Sequence, residues 1–263
     1  MNRTAVLGLV MAKLVALSAC APPPVEQFDP EEHFLVQVIA GGDAVEIFRY
    51  IGGRTEVRIP PTIQNLPVIA IGLSAFARTG ITEVTIPDSV ILIGGEAFTG
   101  NRLTAITIPD SVVHIGAAAF RANHISHIAI SSNLITIENF AFAQNTLNAV
   151  TIPDGVTHIG ERAFWFNQLT EADIPNSVTY IGNAAFSINQ LTAVTIPDNV
   201  TYIGAGAFAE NWLTNLTIKD GVTHIGDRAF ARNRLTEVVI PDSVTHIGDR
   251  AFDGDVAIAR EAN

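Results

Sequence analysis

A phenylalanine recurs every 22 residues through most of this chain. It follows an alanine in each copy, and an isoleucine precedes it by five positions; in seven of the nine copies an asparagine follows it by three. Nine units in one unbroken register predict a repeat solenoid, whose stability comes from contacts between neighbouring units. The nine phenylalanines are Phe76, Phe98, Phe120, Phe142, Phe164, Phe186, Phe208, Phe230 and Phe252.

Each unit predicts the same local structure. One copy reads LTAVTIPDNVTYIGAGAFAEN. Val194 and Ile196 lie two positions apart, an alternation that predicts a short strand with one buried face. Pro197 ends the strand's hydrogen bonding, and Gly204 permits a sharp bend or a close approach of backbones.

The second half of the unit predicts a turn and an inter-coil contact. Ile203, Ala207 and Phe208 have the spacing of one helical turn laid against the stack. Asn211 follows on a tight turn, and its amide is expected to bond backbone groups of a neighbouring coil, which would form a buried ladder.

The string L-x-x-V-x-I-P-x-x-V-x-x-I-G-x-x-A-F resembles the BspA-like, or treponemal-type, leucine-rich repeat of bacterial surface proteins. The resemblance covers about Arg54 to Asp255. Asparagine stands where the usual pattern has cysteine, and the unit is one residue shorter. The resemblance implies a stack of about ten coils, each with short parallel strands and one helical turn. It also implies adhesion, contact with host extracellular matrix proteins, or co-aggregation of bacteria.

The remainder of the chain is expected to cap, anchor or tether the solenoid. FLVQVIAGGDAVEIFRY contains two strand patterns around a Gly-Gly-Asp turn, which predicts a β-hairpin cap. The predicted parts are a lipoprotein-type signal peptide (1–19), a Pro-rich acidic tether (20–33), an N-terminal β cap (34–53), the solenoid (54–255) and a C-terminal tail or minimal cap (256–263).

The only cysteine of the chain, Cys20, ends the sequence LSAC. An early Arg3, an apolar stretch and small residues before a cleavage point are typical of a secretory signal, although Lys13 interrupts the apolar run. LSAC resembles the bacterial lipobox, in which the cysteine is lipidated. We therefore expect a lipid anchor on Cys20 that holds the protein to the outer membrane or cell surface.

Composition argues against several functions. The formal charge is −11, so the chain would repel the phosphates of nucleic acid. Phosphate loops, His-Glu-x-x-His pairs, paired-cysteine motifs and serine elbows are missing, so we expect no enzyme, cofactor or metal. The aspartates of the IPD turns, such as Asp198, are interpreted as turn formers.

The position before each Ile-Gly pair is usually histidine or tyrosine, which predicts a stripe of rings along one face. Such a stripe is either a cross-strand ladder or part of a binding face. Two adjacent members, His224 and His246, are also candidates for sharing a transition metal or responding to mild acid. The stripe comprises His114, His158, Tyr180, Tyr202, His224 and His246.

Large apolar side chains interrupt the small or polar pattern after the repeated phenylalanines. Trp165, Phe166, Ile188 and Trp212 mark either a contact patch or a shield over a gap in the turns. Three further residues depart from the repeat: Ser131 replaces proline, Glu138 replaces glycine and Lys219 replaces proline. The sequence alone does not show whether these changes reshape the stack or are neutral.

These patterns predict a non-catalytic, surface-anchored module that binds another protein through the solenoid face. The partner would be a host extracellular matrix protein or another bacterial surface protein. The alternative is an oligomeric envelope scaffold, or a carrier of a small apolar ligand. Its motivation is the short sequence after Phe252, which suggests contact with another subunit, and the apolar set around Trp165.

Overall fold

A computed structural model describes residues 27–39 and 41–260. These residues form a stack of coils, and the predicted repeat solenoid is confirmed. Each coil contributes a longer strand, a two-residue strand and a turn, so three columns run along the stack. The proposed signal peptide and Cys20 lie outside the described residues, as does the first half of the predicted tether, residues 20–26.

The short-strand column is made of in-register parallel pairs. Each of its two-residue strands has one outward residue and one isoleucine that points into the core, as in Tyr202–Ile203. The column begins with β5 (Leu66–Ile71) and continues with β7 (Leu92–Ile93), β9 (His114–Ile115), β11 (Thr136–Ile137), β13 (His158–Ile159), β15 (Tyr180–Ile181), β17 (Tyr202–Ile203), β19 (His224–Ile225) and β21 (His246–Ile247).

In the long-strand column, each strand is paired with one neighbour only, so the column consists of separate two-stranded sheets. The parallel pairs are β3 with β6, β8 with β10, β12 with β14, β16 with β18, and β20 with β22. Open grooves separate some successive pairs, for example between β14 and β16. The strands are β3 (Glu56–Arg58), β6 (Glu83–Thr85), β8 (Ala105–Thr107), β10 (His127–Ala129), β12 (Ala149–Thr151), β14 (Glu171–Asp173), β16 (Ala193–Ile196), β18 (Asn215–Ile218), β20 (Glu237–Ile240) and β22 (Ala257–Arg260).

The third column consists of turns where the sequence predicted a helical turn. In the turn around Phe120, Ala118 and Ala122 have left-handed φ values of 57° and 55°. This alternation turns the N–H groups of Ala118, Phe120 and Ala122 toward the next coil, where they donate to three carbonyls at 2.9–3.0 Å. The N–H groups of Ala119 and Arg121, which lie between them, donate within the turn to the carbonyls of Gly116 and Ala118, so intra-turn and inter-coil bonds alternate.

The repeated phenylalanines stack inside the solenoid. Neighbouring rings have centroids 5.0–5.7 Å apart and are tilted by no more than 20°. The N-terminal cap continues the stack, because Tyr50 lies 5.1 Å from Phe76 and Phe34 lies 5.5 Å from Tyr50. The predicted hairpin is confirmed: β1 (Phe34–Val38) pairs antiparallel with β2 (Val45–Tyr50).

The remaining elements join the cap to the first coil. A 3-10 helix, Glu31–His33, precedes β1, and β4 (Thr62–Ile63) pairs antiparallel with the start of β5. Asp29 is buried, and its carboxylate accepts the backbone N–H of Arg58 at 2.7 Å. The β2 strand then pairs in parallel with β5, which continues the sheet from the cap into the short-strand column.

The asparagine ladder predicted from the sequence is confirmed. Asn189 is 5% exposed, and its amide nitrogen donates to the carbonyls of Phe164 and Phe186, both at 3.0 Å. Its amide oxygen accepts the N–H of Leu169 at 3.0 Å. Each ladder asparagine therefore joins its own coil to the preceding one. Equivalent bonds are made by Asn101, Asn123, Asn145, Asn167, Asn211 and Asn233.

The short-strand column is interrupted between β9 and β11, at the coil that contains two of the sequence outliers. At the glycine column, a Cβ on Gly182 or Gly204 would lie 2.6–2.7 Å from backbone of the preceding coil. Glu138 has a Cβ at this position, so its coil cannot approach its neighbour as closely. On the other side of the coil, Ser131 is fully buried and its hydroxyl donates to the Val112 carbonyl at 2.6 Å. These substitutions therefore mark a local reshaping of the stack.

We expect Asn189→Ala to lower the free energy of unfolding by about 2–4 kcal/mol, because it leaves the buried N–H of Leu169 unpaired and removes one of the two amide donors to each of the Phe164 and Phe186 carbonyls. Urea unfolding followed by circular dichroism measures the change. Asn176→Ala is the matched control, since Asn176 is exposed and should change stability by less than about 0.5 kcal/mol. Equal effects of the two variants would contradict a supporting role for the ladder.

Gly182→Ala should destabilise the stack by about 1–3 kcal/mol, because its Cβ would meet the Glu161 nitrogen and the Gly160 carbonyl carbon at 2.7 Å. Thermal unfolding provides the measurement. Gly53→Ala is the control, as its Cβ would meet no heavy atom within 4 Å. If both alanine variants unfold at the same temperature as the wild type, the stack does not depend on close approach of backbones at the glycine column.

Candidate functional site

The ring stripe lies along the short-strand column. Each ring belongs to the first residue of a two-residue strand, and the in-register pairing places successive rings one above another. Tyr180 and Tyr202 have centroids 5.0 Å apart and an interplanar angle of 5°. Tyr202 lies 4.7 Å from His224, and His224 lies 4.2 Å from His246. These four residues form one continuous stack.

The N-terminal part of the stripe is less regular. His158 continues the stack at 5.8 Å from Tyr180 with a 27° tilt. His114 is separated from it by Thr136, at the point where β9 and β11 do not pair. The sequence therefore predicted the stripe, but the structure brings only His158, Tyr180, Tyr202, His224 and His246 together.

A row of threonines runs beside the stripe. The hydroxyl of Thr179 donates to the Thr157 carbonyl at 3.1 Å, and that of Thr201 donates to the Thr179 carbonyl at 3.2 Å. These hydroxyls hold adjacent coils in register on the exposed side of the strands. The stripe is therefore rigid, and it presents ring edges rather than ring faces to solvent.

The pKa of His224 is perturbed by its position in the stack. Burial and the positive charge of His246 lower the pKa of the His224 imidazole, and the negative charge of Asp227 partly offsets them. Among the described residues, no three histidine, cysteine, aspartate or glutamate side chains are grouped to hold a metal ion. The His224 and His246 rings are stacked with an interplanar angle of 8°.

The predicted apolar set lies on the turn column, away from the stripe along each coil. Trp165 and Phe166 are in contact, with ring centroids 5.7 Å apart, and Phe166 is 52% exposed. Ile188 occupies the position of Phe166 in the next coil, and both residues have φ of 56°. Trp212 is 42% exposed, two coils farther along the stack. The structure thus separates the candidates into two surfaces.

Sequence reasoning missed one aromatic residue of the turn column. Phe140 is half-buried between two guanidinium groups, with Arg162 5.4 Å and Arg121 5.5 Å from its ring centroid. Arg234 lies in the same way over Trp212, at 5.0 Å. The available signal was a phenylalanine two positions before a repeated Phe, where other copies carry small or charged residues. The three pairs show that arginine and aromatic side chains share this surface.

Stacked coils of this length, with parallel strands on one side and a conserved spacing of buried residues, define a leucine-rich-repeat solenoid. The model of the BspA type leucine rich repeat region matches residues 69–190 and 137–259, in six copies. The chain therefore belongs to the BspA-type leucine-rich-repeat family. A comparison with curated proteins gave no match.

Three solved structures are similar to this chain at 20–23% identity. The pneumococcal vaccine antigen PcpA is 20% identical, with a TM-score of 0.54 over 78% of this chain and 62% of its own. This chain thus spans less than two thirds of that antigen. A leucine-rich repeat protein from Bacteroides ovatus is 20% identical, covers 86% of this chain and 80% of its own, and has a TM-score of 0.48. The T. pallidum leucine-rich repeat protein is 23% identical, with 88% and 91% coverage and a TM-score of 0.44. At these identities the similarity to PcpA supports the fold alone.

The lowered pKa of His224 predicts a pH dependence of stability. The unfolded chain binds a proton near pH 6.5, whereas the folded stack resists it, so stability should fall as the pH drops through about 6.5. His224→Gln should flatten this dependence in urea unfolding measured between neutral and mildly acidic pH. His124→Gln, at an exposed position of the turn column, is the control. Parallel pH profiles for all three proteins would refute the effect of stacking.

Proposed function

We propose that this protein is a non-catalytic, surface-anchored module that binds other proteins through an exposed side of the solenoid. Its partners would be host extracellular matrix proteins or the surface proteins of other bacteria, and its role would be adhesion. Membership of the BspA-type family supports protein binding in general. The surface location, lipid anchor and partner class are parts of the proposal.

The observation that carries the proposal is that, within each coil, the repeated residues are buried and the variable residues are exposed. The repeated residues are buried and their bonding groups are used between coils: Phe186 donates its N–H to the Ala207 carbonyl, and Asn189 donates its amide to the Phe164 carbonyl. The residues that vary between copies, such as Phe166 and Trp212, point outward. A rigid stack of this kind keeps its shape while its exposed side chains change, which suits recognition of a large partner.

The polar interior also favours a structural role over catalysis. The buried asparagines bond backbone groups rather than each other or a titratable side chain. The His224 and His246 rings lie on an exposed column, and their spacing is that of a cross-strand ladder. Binding is the function that these arrangements support.

Anchoring depends on the part of the chain before residue 27. A lipidated Cys20 followed by a Pro-rich segment would hold the solenoid away from a membrane. Within the described residues no helix has the length and apolar character needed to cross a membrane. Localisation is therefore tested directly on cells.

The assembly alternative has one supporting observation. The final strand, β22, is exposed at all four residues, including Ile258 at 53%. An exposed strand edge is a surface on which another chain can pair. A carrier role has no such support, since the stacked phenylalanines fill the interior between the strands.

The purified protein should bind saturably to immobilised extracellular matrix proteins or to a bacterial surface protein, and antibodies should label it on intact cells. Tyr202→Ser together with Phe166→Ser should reduce binding by about tenfold or more, since exposed aromatic side chains often dominate interface energy. Phe48→Ser, on the cap, is the control for loss of an exposed aromatic ring. No binding to any protein would contradict the proposal. In that case a stable oligomer in light scattering would support the scaffold alternative.

A further inference from the structure

The outward side of the stacked turns has a charge opposite to that of the rest of the chain. It is named the turn face here and consists of seven residues around each repeated phenylalanine. Eight of the 15 lysine and arginine residues lie in it, but only four of the 26 aspartates and glutamates, so its formal charge is +4 against −15 elsewhere. The segments are 74–80, 96–102, 118–124, 140–146, 162–168, 184–190, 206–212, 228–234 and 250–256.

Most of these arginines have no ion-pair partner in the described part of the chain. Arg162 pairs with the adjacent Glu161 at 2.7 Å, and Arg232 pairs with Glu210 at 2.9 Å. The other six are exposed, and no carboxylate lies within 4.0 Å of their nitrogens. They are Arg78, Arg102, Arg121, Arg228, Arg234 and Arg250.

Aromatic rings hold two of these arginines in place. Arg234 lies over Trp212, and Arg121 lies over Phe140 while its Nε donates to Gln144 at 2.8 Å. A guanidinium stacked by its face keeps the N–H groups along its edge available to a carboxylate. Because the ring already fixes the side chain, less conformational entropy is lost on binding.

The backbone adds donors at the C-terminal end of the turn face. In every turn the N–H of the repeated phenylalanine donates to the following coil, as from Phe230 to Ala251 at 2.8 Å. In the last turn the N–H groups of Arg250 and Phe252 have no acceptor among the described residues. They border an open cavity of about 640 Å³ that is also lined by Arg228, Arg232, Glu210 and Asp253. The Glu210 carboxylate is paired with Arg232, and the Asp253 carboxylate accepts the N–H groups of Arg232 and Asn233, so Arg228 and Arg250 are the lining charges without a pair. Aligned N–H groups beside arginines attract anions.

We propose that the turn face binds an acidic segment of a protein partner. Carboxylates of the partner would occupy the C-terminal cavity near Arg228 and Arg250, and an apolar side chain would cover the surface formed by Trp165, Phe166 and Ile188. This inference rests on the proposed protein-binding function and adds the face that binds and the chemistry that is bound.

The surroundings favour an acidic protein over a nucleic acid or a sulfated polysaccharide. Asp227 and Asp249 lie directly beside Arg228 and Arg250, where the turn face ends. A long, uniformly charged polyanion would extend over this acidic border and be repelled. A folded or short acidic segment can avoid the border, and it can also use the apolar surface around Phe166, which a nucleic acid backbone cannot.

The test measures binding of the full-length protein to a poly(Glu,Tyr) copolymer by fluorescence anisotropy. We expect saturable binding that weakens as salt rises from about 0.05 to about 0.3 M. Arg228→Glu with Arg250→Glu should raise the dissociation constant by about tenfold or more, and Phe166→Ser by about fivefold. Poly(Lys,Tyr), heparin and a single-stranded oligothymidylate are the comparison probes.

Two control variants match the charge and ring changes outside the turn face. Arg49→Glu with Arg58→Glu makes the same charge change on exposed positions of the cap and first coil, and Phe48→Ser removes a ring that is 43% exposed. Both controls should stay within about twofold of the wild type. Circular dichroism and thermal unfolding confirm that all variants are folded.

The outcomes separate this inference from the proposed function. Equal losses in the control and turn-face variants would overturn the inference, as would heparin or oligothymidylate binding as tightly as the copolymer. Binding of a matrix protein that depends on Tyr202 but not on Arg228 and Arg250 would overturn it while the protein-binding function stands. Failure to bind any protein overturns the proposed function itself.

Discussion

Hydrogen bonds between consecutive coils hold this solenoid together, and the asparagine ladder is the most complete example. A single coil of 22 residues cannot bury its own apolar face or pair its own backbone groups. Asn189 supplies partners for backbone groups, because it bonds carbonyls of two coils inside the stack. The stacked phenylalanines beside it then fill the space that the ladders enclose.

The turns show how far inter-coil bonding governs the backbone. Residues such as Ala118 and Phe140 adopt left-handed φ although most residue types other than glycine disfavour it. Each such residue costs on the order of 1 kcal/mol, and the bond that its N–H makes to the next coil offsets the cost. At the positions two residues before and two residues after the repeated phenylalanines, Gly100 and Gly206 are the only glycines with positive φ. The repeat therefore tolerates large outward side chains such as Phe166 at left-handed positions, and this is what places an apolar and arginine-rich surface on the turns.

The two exposed surfaces differ in physical character. The ring stripe is a ladder of parallel side chains whose faces are covered by one another, so its members mainly support adjacent coils. On the turn face, rings are covered by guanidinium groups or are exposed, as Phe166 is. Donors and apolar surface are thus both accessible there. An interface with a protein needs both, because apolar contact supplies affinity and charge complementarity supplies orientation.

The sequence by itself determined the coil length, the register, the buried residues and the asparagine ladder, since these repeat at one period and each repeat has one physical solution. It also predicted the ring stripe from His114 to His246, of which the structure aligns His158 to His246. Tertiary structure decided the turn geometry, because left-handed φ at Ala118 and Ala122 arises from bonds to a neighbouring coil and has no glycine to signal it. It also decided that Phe140 meets Arg121, 19 positions away, because the 22-residue period places Arg162 in the column of Phe140 but does not place Arg121 there. Contacts across coils depend on which side chains stacking brings together, and no local pattern contains that information.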